Sequence, residues 1–321
     1  MKAAFLDWDS LNGNELDASH LEQLPVEWQY YARISPQELE ELIKDIEVIV
    51  SNKVVLDAGL ISRAQRLKLI CVAATGTNNI DLESAADKSI PVCNVRGYAT
   101  ESVIQHVFML ILNLSRRFLS YQQALQEGQW QRSEHFCFFS HPIESLTGKI
   151  LGIIGYGELG QAVANMAKQF GMKVLIARSL RDHSQTTSEP GRVELEEIFT
   201  QSDVVSLHCP LTERTRNLVT RNEFALMKSS AFLINTARGG IVNEDHLLGA
   251  IRDKQIAGAA TDVLTQEPPV NGHPLLDAKL PNLIVTPHIA WGTKQARQKL
   301  LEGIAENIQA WLQGQVRNQV N

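Results

Sequence analysis

Residues Ile150–Gly160 read ILGIIGYGELG. An aliphatic run with strand character stops at Gly155, Gly157 and Gly160 follow in the spacing G-x-G-x-x-G, and helical periodicity continues through ELGQAVANMAKQFG. The first glycine permits a tight turn, the second lets backbone approach a pyrophosphate, and the third lets the helix pack close to the strand. Phosphates would face the helix N-terminus, where N–H groups and the helix dipole favour an anion. The pattern predicts a dinucleotide seat, supported by a further strand at 173–177. Yet 149 residues precede it in a chain of 321.

Downstream, the apolar runs 149–155, 173–177, 203–209, 231–236, 256–263 and 282–287 alternate with helical segments. Such alternation predicts a parallel sheet covered on both faces, and six strands of this kind predict a Rossmann-type doubly wound domain. Upstream, 2–7, 45–51, 67–75 and 90–95 read as strands of a smaller flavodoxin-like α/β domain. Two long helical patterns stand at the changeovers. ESVIQHVFMLILNLSRRF carries Val103, Val107, Leu110, Ile111, Leu114 and Phe118 on one stripe, and TKQARQKLLEGIAENIQAWLQG ends at Gly314. If the second returns to the first sheet, a dinucleotide-binding domain of residues 100–289 is inserted in a second domain of residues 1–99 plus 290–321. The active site is then expected in the cleft, and the late start of the glycine turn follows from the insertion.

The length suits two cores, since single cores usually stop growing below about 250–300 residues. A net charge of −6 without a dense basic run argues against nucleic acid or an anionic membrane as partner and favours a small metabolite. Asp7 and Asp9 interrupt the opening MKAAFLDWDS, so no secretory or membrane segment is expected and the cytoplasm is the expected location. Cys71, Cys93, Cys137 and Cys209 include no C-x-x-C pair and read as reduced thiols. His135 and His141 have no acidic or cysteine partners at ligand spacing, so no metal is expected. The aromatic stretch Trp130–Phe139 reads as a subunit contact.

Ligands of open parallel sheets bind beyond the carboxyl ends of the strands. Three late strands run into chemistry-bearing residues there: LINTARGG brings Arg238, TDVLTQEPP brings Glu267 and IVTPHIAWG brings His288. Singly, each residue has an ordinary structural reading. Spacings of 29 and 21 residues, about one βα unit each, allow all three to converge on one rim.

GIIGYGELG, HCPLT, LINTARGG, ATDVLTQEPP and TPHIAW together resemble the NAD(P)-dependent D-2-hydroxyacid dehydrogenases, most of all the glycerate dehydrogenase/hydroxypyruvate reductase branch. The resemblance is strong from about Ala73 onward and implies the inserted-domain architecture and a homodimer. It implies that Arg238 binds the substrate carboxylate and polarises its 2-oxo oxygen, that His288 is the general acid and base, and that Glu267 holds the imidazole in its protonated form. Thr75, Gly76 and Thr77 correspond to a loop that meets the substrate carboxylate. Cofactor contacts fall on Gly155, Gly157, Glu158, Leu159, Gly160, Thr100, Cys209, Pro210, Thr236, Ala237, Ala290 and Asp262, the last beside the nicotinamide carboxamide.

Where NAD-preferring domains usually carry an acid after the second strand, this chain has Arg178, 18 residues past Gly160, with Ser179 and Arg181 following. Loss of the acid and gain of a cation favour NADP(H) over NAD(H). The expected activity is reduction of a small 2-oxo acid, hydroxypyruvate or glyoxylate foremost. A dinucleotide-sensing co-regulator of the same fold is the alternative, in which an intact Arg238, Glu267 and His288 set would be idle.

Overall fold

Every strand pairing in the computed structural model, which describes residues 1–180 and 191–321, is parallel. The described chain divides into two units, Met1–Ala99 with Trp291–Asn321, and Thr100–Ala290.

The first unit holds β1 (Lys2–Phe5), β2 (Glu27–Tyr30), β3 (Val48–Ser51), β4 (Leu69–Val72) and β5 (Val92–Cys93), in the flavodoxin-like order β2-β1-β3-β4-β5. Because strand side chains alternate, β1, β3, β4 and β5 each feed two cores. Phe5, Val50, Leu69 and Cys71 pack with Leu300, Leu301, Ile304 and Ile308 of the Lys294–Leu312 helix. Ala4, Ile49, Ile70 and Val72 pack on the other face with Ile43 and Ile61. The strand β2 is absent from the sequence reading: its EWQY is a partly exposed edge and lacks the apolar run that marks a buried strand.

The second unit holds β6 (Ile150–Ile154), β7 (Lys173–Ile176), β8 (Val204–Leu207), β9 (Phe232–Asn235), β10 (Gly258–Thr261) and β11 (Leu283–Val285), in the order β11-β10-β9-β8-β6-β7. Val193 makes a single parallel bridge to Ala177, just past β7. Counting that residue as a strand reduced to one bridge restores the Rossmann order, with the switch of direction between β6 and β8. The strands are shorter than the apolar runs because those runs continue into buried loop; 256–263, for example, contributes only Gly258–Thr261. The long helix expected to reach Phe118 ends at Arg116, Arg117 turns left-handed (φ 53°), and a new helix spans Phe118–Gln126. Phe118 is consequently 52 % exposed and lies off the buried stripe.

Candidate active site

Five strands of the second unit end level with one another: Ile154 pairs with Leu207, Leu207 with Asn235, Asn235 with Thr261 and Thr261 with Val285. Whatever follows these residues stands on one rim.

At the switch between β6 and β8, Gly155 has φ 95°, and a Cβ there would lie 2.5 Å from the amide nitrogen of Cys209. A Cβ on Gly160 would meet the Gly155 carbonyl oxygen at 2.1 Å, so this glycine is required for the helix to approach the turn. Gly157 differs: nothing lies within 4 Å of its Cβ position. It is the N-cap of the Glu158–Gln169 helix and provides no side-chain acceptor, leaving the first-turn N–H groups to face an anion. This open cradle fits a dinucleotide pyrophosphate. Thr100 Oγ1 is hydrogen-bonded to the Glu158 carboxylate at the same helix start, and Leu159 is half-buried.

A cavity of about 720 Å³ continues from Gly155 and Gly157 past Arg178, Ser179, Cys209 and Pro210. Its size suits the adenosine half of a dinucleotide. His208 lines it and accepts or shares a hydrogen bond with Ser206 at 2.9 Å, and burial pushes its imidazole down to about 4. It is therefore uncharged at neutral pH. Burial likewise raises the Cys209 thiol to about 11. Arg178 is anchored at both ends: its N–H donates to Val193 O at 2.9 Å, and its guanidinium is 2.6 Å from Glu194 Oε1. Arg192 and Arg214 also line the cavity, with the Arg192 guanidinium 5.7 Å from the Tyr156 ring centre. Arg181 lies outside the described residues.

Beyond β9, Asn235 shapes the turn: its amide donates to Arg238 O at 3.0 Å and its carbonyl oxygen accepts from Ala237 N at 3.1 Å. Arg238 donates from Nη1 to Ala237 O at 2.7 Å. Thr236 Oγ1 is buried without a protein partner among the described residues, a polar atom suited to a ligand hydroxyl. A Cβ on Gly239 would lie 1.9 Å from Leu264 O, so the Arg238 loop abuts the loop after β10. In that second loop Glu267 Oε1 accepts from Leu264 N at 2.8 Å, while Oε2 takes the Nδ1 hydrogen of His288 at 2.6 Å. His288 has φ 54°, a backbone state costing roughly 1–3 kcal/mol for a non-glycine residue, and its N–H donates to Asp262 O at 2.8 Å.

Residues 108–290 match the family model described as D-isomer specific 2-hydroxyacid dehydrogenase, NAD binding domain. The chain belongs to this family. It is 42 % identical over 320 residues to a glycerate dehydrogenase of Methylorubrum extorquens, covering 99 % of this chain and 98 % of that one. It is 36 % identical over 324 residues to a hydroxypyruvate reductase of Blautia hydrogenotrophica, covering 100 % of both. Its fold matches a D-lactate dehydrogenase from Aquifex aeolicus complexed with NAD and lactic acid at a TM-score of 0.80, with 28 % identity over 98 % of this chain and 96 % of that one. The chain is an NAD(P)-dependent oxidoreductase of the 2-hydroxyacid dehydrogenase type.

In this dehydrogenase the second unit carries Arg238, Glu267 and His288, whereas Thr75, Gly76 and Thr77 follow β4 of the first. Thr75 Oγ1 donates to Val95 O at 2.9 Å and Asn94 donates to Thr75 O at 2.6 Å, fixing that turn. Asp262 and Ala290 are buried, 1 % and 3 % exposed, and their polar groups are engaged by the protein. Sequence reasoning overlooked Arg192 and Arg214. The signal available was position: Arg214 follows β8 on the rim, and Arg192 immediately precedes the bridging Val193. Among the described residues, no group of three or more His, Cys, Asp and Glu side chains is placed to hold a metal ion, and no helix is long and apolar enough to cross a membrane.

Proposed function

We propose that the enzyme reduces hydroxypyruvate or glyoxylate, with Arg238, Glu267 and His288 carrying the chemistry and Thr75, Gly76 and Thr77 meeting the substrate carboxylate. The pairing of His288 with Glu267 at 2.6 Å carries this reading. With Nδ1 donated to the carboxylate, Nε2 becomes the atom that delivers a proton to the 2-oxo oxygen and removes it in the reverse direction. Arg238 binds the carboxylate of the 2-oxo acid and draws electron density onto its carbonyl oxygen, a pair of contacts suited to a planar guanidinium. The bound nicotinamide supplies the hydride. Gly155, Gly157, Gly160, Thr236 and the cavity residues hold that cofactor, and Arg178 favours the 2′-phosphate of NADP(H).

The relatives' names support two substrates of one class, both small 2-oxo acids. Parallel steady-state assays of NADH and NADPH oxidation with hydroxypyruvate, glyoxylate, pyruvate and 2-oxoglutarate test the reading, and kcat/KM should be highest with one of the first two. His288→Gln should lower kcat by about 10²–10⁴ with little change in cofactor affinity. Near-normal turnover in the folded variant would remove His288 from the mechanism. The exposed aromatics at Trp130, Phe136 and Phe139 support a homodimer, and four free thiols suit the reducing cytoplasm.

A further inference from the structure

We infer that His106 and Ser102, on the Thr100–Arg116 helix, act through Thr286 and Asp262 as a hydrogen-bonded brace that fixes the position of His288 without touching the reacting atoms. The inference rests on the proposed role of His288.

Three successive N–H groups on one loop converge on a single aspartate. His288 N donates to the Asp262 backbone oxygen at 2.8 Å, Ile289 N to Oδ1 at 3.0 Å and Ala290 N to Oδ2 at 2.8 Å. A left-handed residue followed by converging amides forms a concavity that an anion stabilises, and here the anion belongs to the protein. Thr286 completes the set, donating from Oγ1 to Asp262 Oδ1 at 2.5 Å. The Thr286 oxygen is also 3.0 Å from His106 Nε2. Since its own hydrogen goes to the carboxylate, this oxygen must accept from His106, which fixes the tautomer with hydrogen on Nε2. Ser102, one turn earlier on the same helix face, donates to Ala290 O at 2.7 Å. The helix therefore grips both ends of the segment Thr286–Ala290, with His288 between them.

Burial explains why such a brace keeps its geometry. Ser102 is 5 % exposed, and the side chains of His106 and Asp262 are 11 % and 1 % exposed. Burial depresses the proton affinity of His106 while the Asp262 charge acts the other way, and the directional chain from His106 through Thr286 to Asp262 requires only the neutral ring. Losing the His106 donor leaves the half-buried Thr286 oxygen short of a partner and relaxes the loop, whose φ of 54° at His288 has to be held against its backbone preference. A displacement of about 1 Å at a proton donor can cost on the order of 10²-fold in rate.

The test compares His106→Leu with His106→Gln and Thr286→Val with Thr286→Ser in the full-length enzyme, measuring kcat, substrate KM, cofactor Kd and Tm. The Leu and Val variants should lose about 10- to 100-fold in kcat with KM and Kd within about twofold, while Gln and Ser recover most of the loss. In a His288→Gln background, His106→Leu should cause little further loss in kcat, because the braced group is already gone. Folded Leu and Val variants with wild-type kcat overturn the brace, as does a loss confined to cofactor Kd. If His106→Leu does not fold, the Thr286 pair decides. If His288→Gln itself retains normal kcat, the proposed role of His288 fails first; if it is impaired but the brace variants are not, only the brace fails.

Discussion

At the residue scale, the proposed role of Arg178 in cofactor choice is tested against its neighbour Glu194. An exposed pair of this kind is worth only about 0–1 kcal/mol, so a phosphate dianion can compete for the guanidinium. Glu194 is nevertheless well placed to oppose that phosphate, because the Val193–Ala177 bridge pins its segment beside the end of β7. The two side chains are expected to pull cofactor preference in opposite directions. Arg178→Asp should move the ratio of kcat/KM for NADPH over NADH downward by about tenfold or more, the scale of one lost charge-assisted contact, and Glu194→Gln should move it upward. An unchanged ratio in both variants would show that neither residue meets the ribose. The place of Arg178 in the cavity was legible from its distance past the glycines alone, whereas the nearness of Glu194 was not, since only folding brings Val193 alongside Ala177.

The strand-turn-helix at 150–169 shows which parts of an element are readable. G-x-G-x-x-G identifies three glycines but treats them alike, and the structure separates their duties. Gly160→Ala forces a Cβ against the Gly155 carbonyl at 2.1 Å, a backbone clash that should lower Tm by several degrees and weaken cofactor binding as a consequence. Gly157→Ala puts its methyl where nothing lies within 4 Å, and at φ −79° the residue suffers no backbone penalty. It should leave Tm of the cofactor-free enzyme nearly unchanged while raising the Kd for either dinucleotide about tenfold or more, a loss of about 1.4 kcal/mol or more. Equal affinity for wild type and Gly157→Ala, by titration calorimetry, would mean that the pyrophosphate sits elsewhere. The period-2 and 3.6 patterns were enough for the parallel sheets. They could not reveal β2, whose edge position relaxes the apolar requirement, nor the break at Arg117, where apolar spacing continues through a change of backbone direction.

For the whole molecule, the parallel β–α alternation made the two sheets legible, but not the hydrogen-bonded hub at Asp262, whose partners lie at positions 286, 288, 289 and 290, with His106 joined through Thr286, and are unrelated by any sequence period. Surface is harder still to read, because an exposed side chain is constrained by what lies outside the chain. Trp130, Phe136 and Phe139 are 54 %, 90 % and 76 % exposed, and Phe118 and Leu119 on the adjacent helix are 52 % and 47 % exposed. The segment is not a loose tail: Trp130 Nε1 donates to Phe136 O at 2.9 Å, and the Phe138 ring packs 5.5 Å from Tyr121 of that helix. An ordered display of large apolar groups costs solubility unless something covers it, and a second copy related by a twofold axis offers the same surface in return. Light scattering on the wild-type enzyme at micromolar concentration should therefore give about twice the 35.7 kDa chain mass. Phe136→Glu combined with Phe139→Glu would bury two unpaired charges in each copy of that contact, and should shift the species to 35.7 kDa without lowering helix content. A wild-type mass of 35.7 kDa, or an unchanged dimer in the double variant, would rule out this face as the subunit contact.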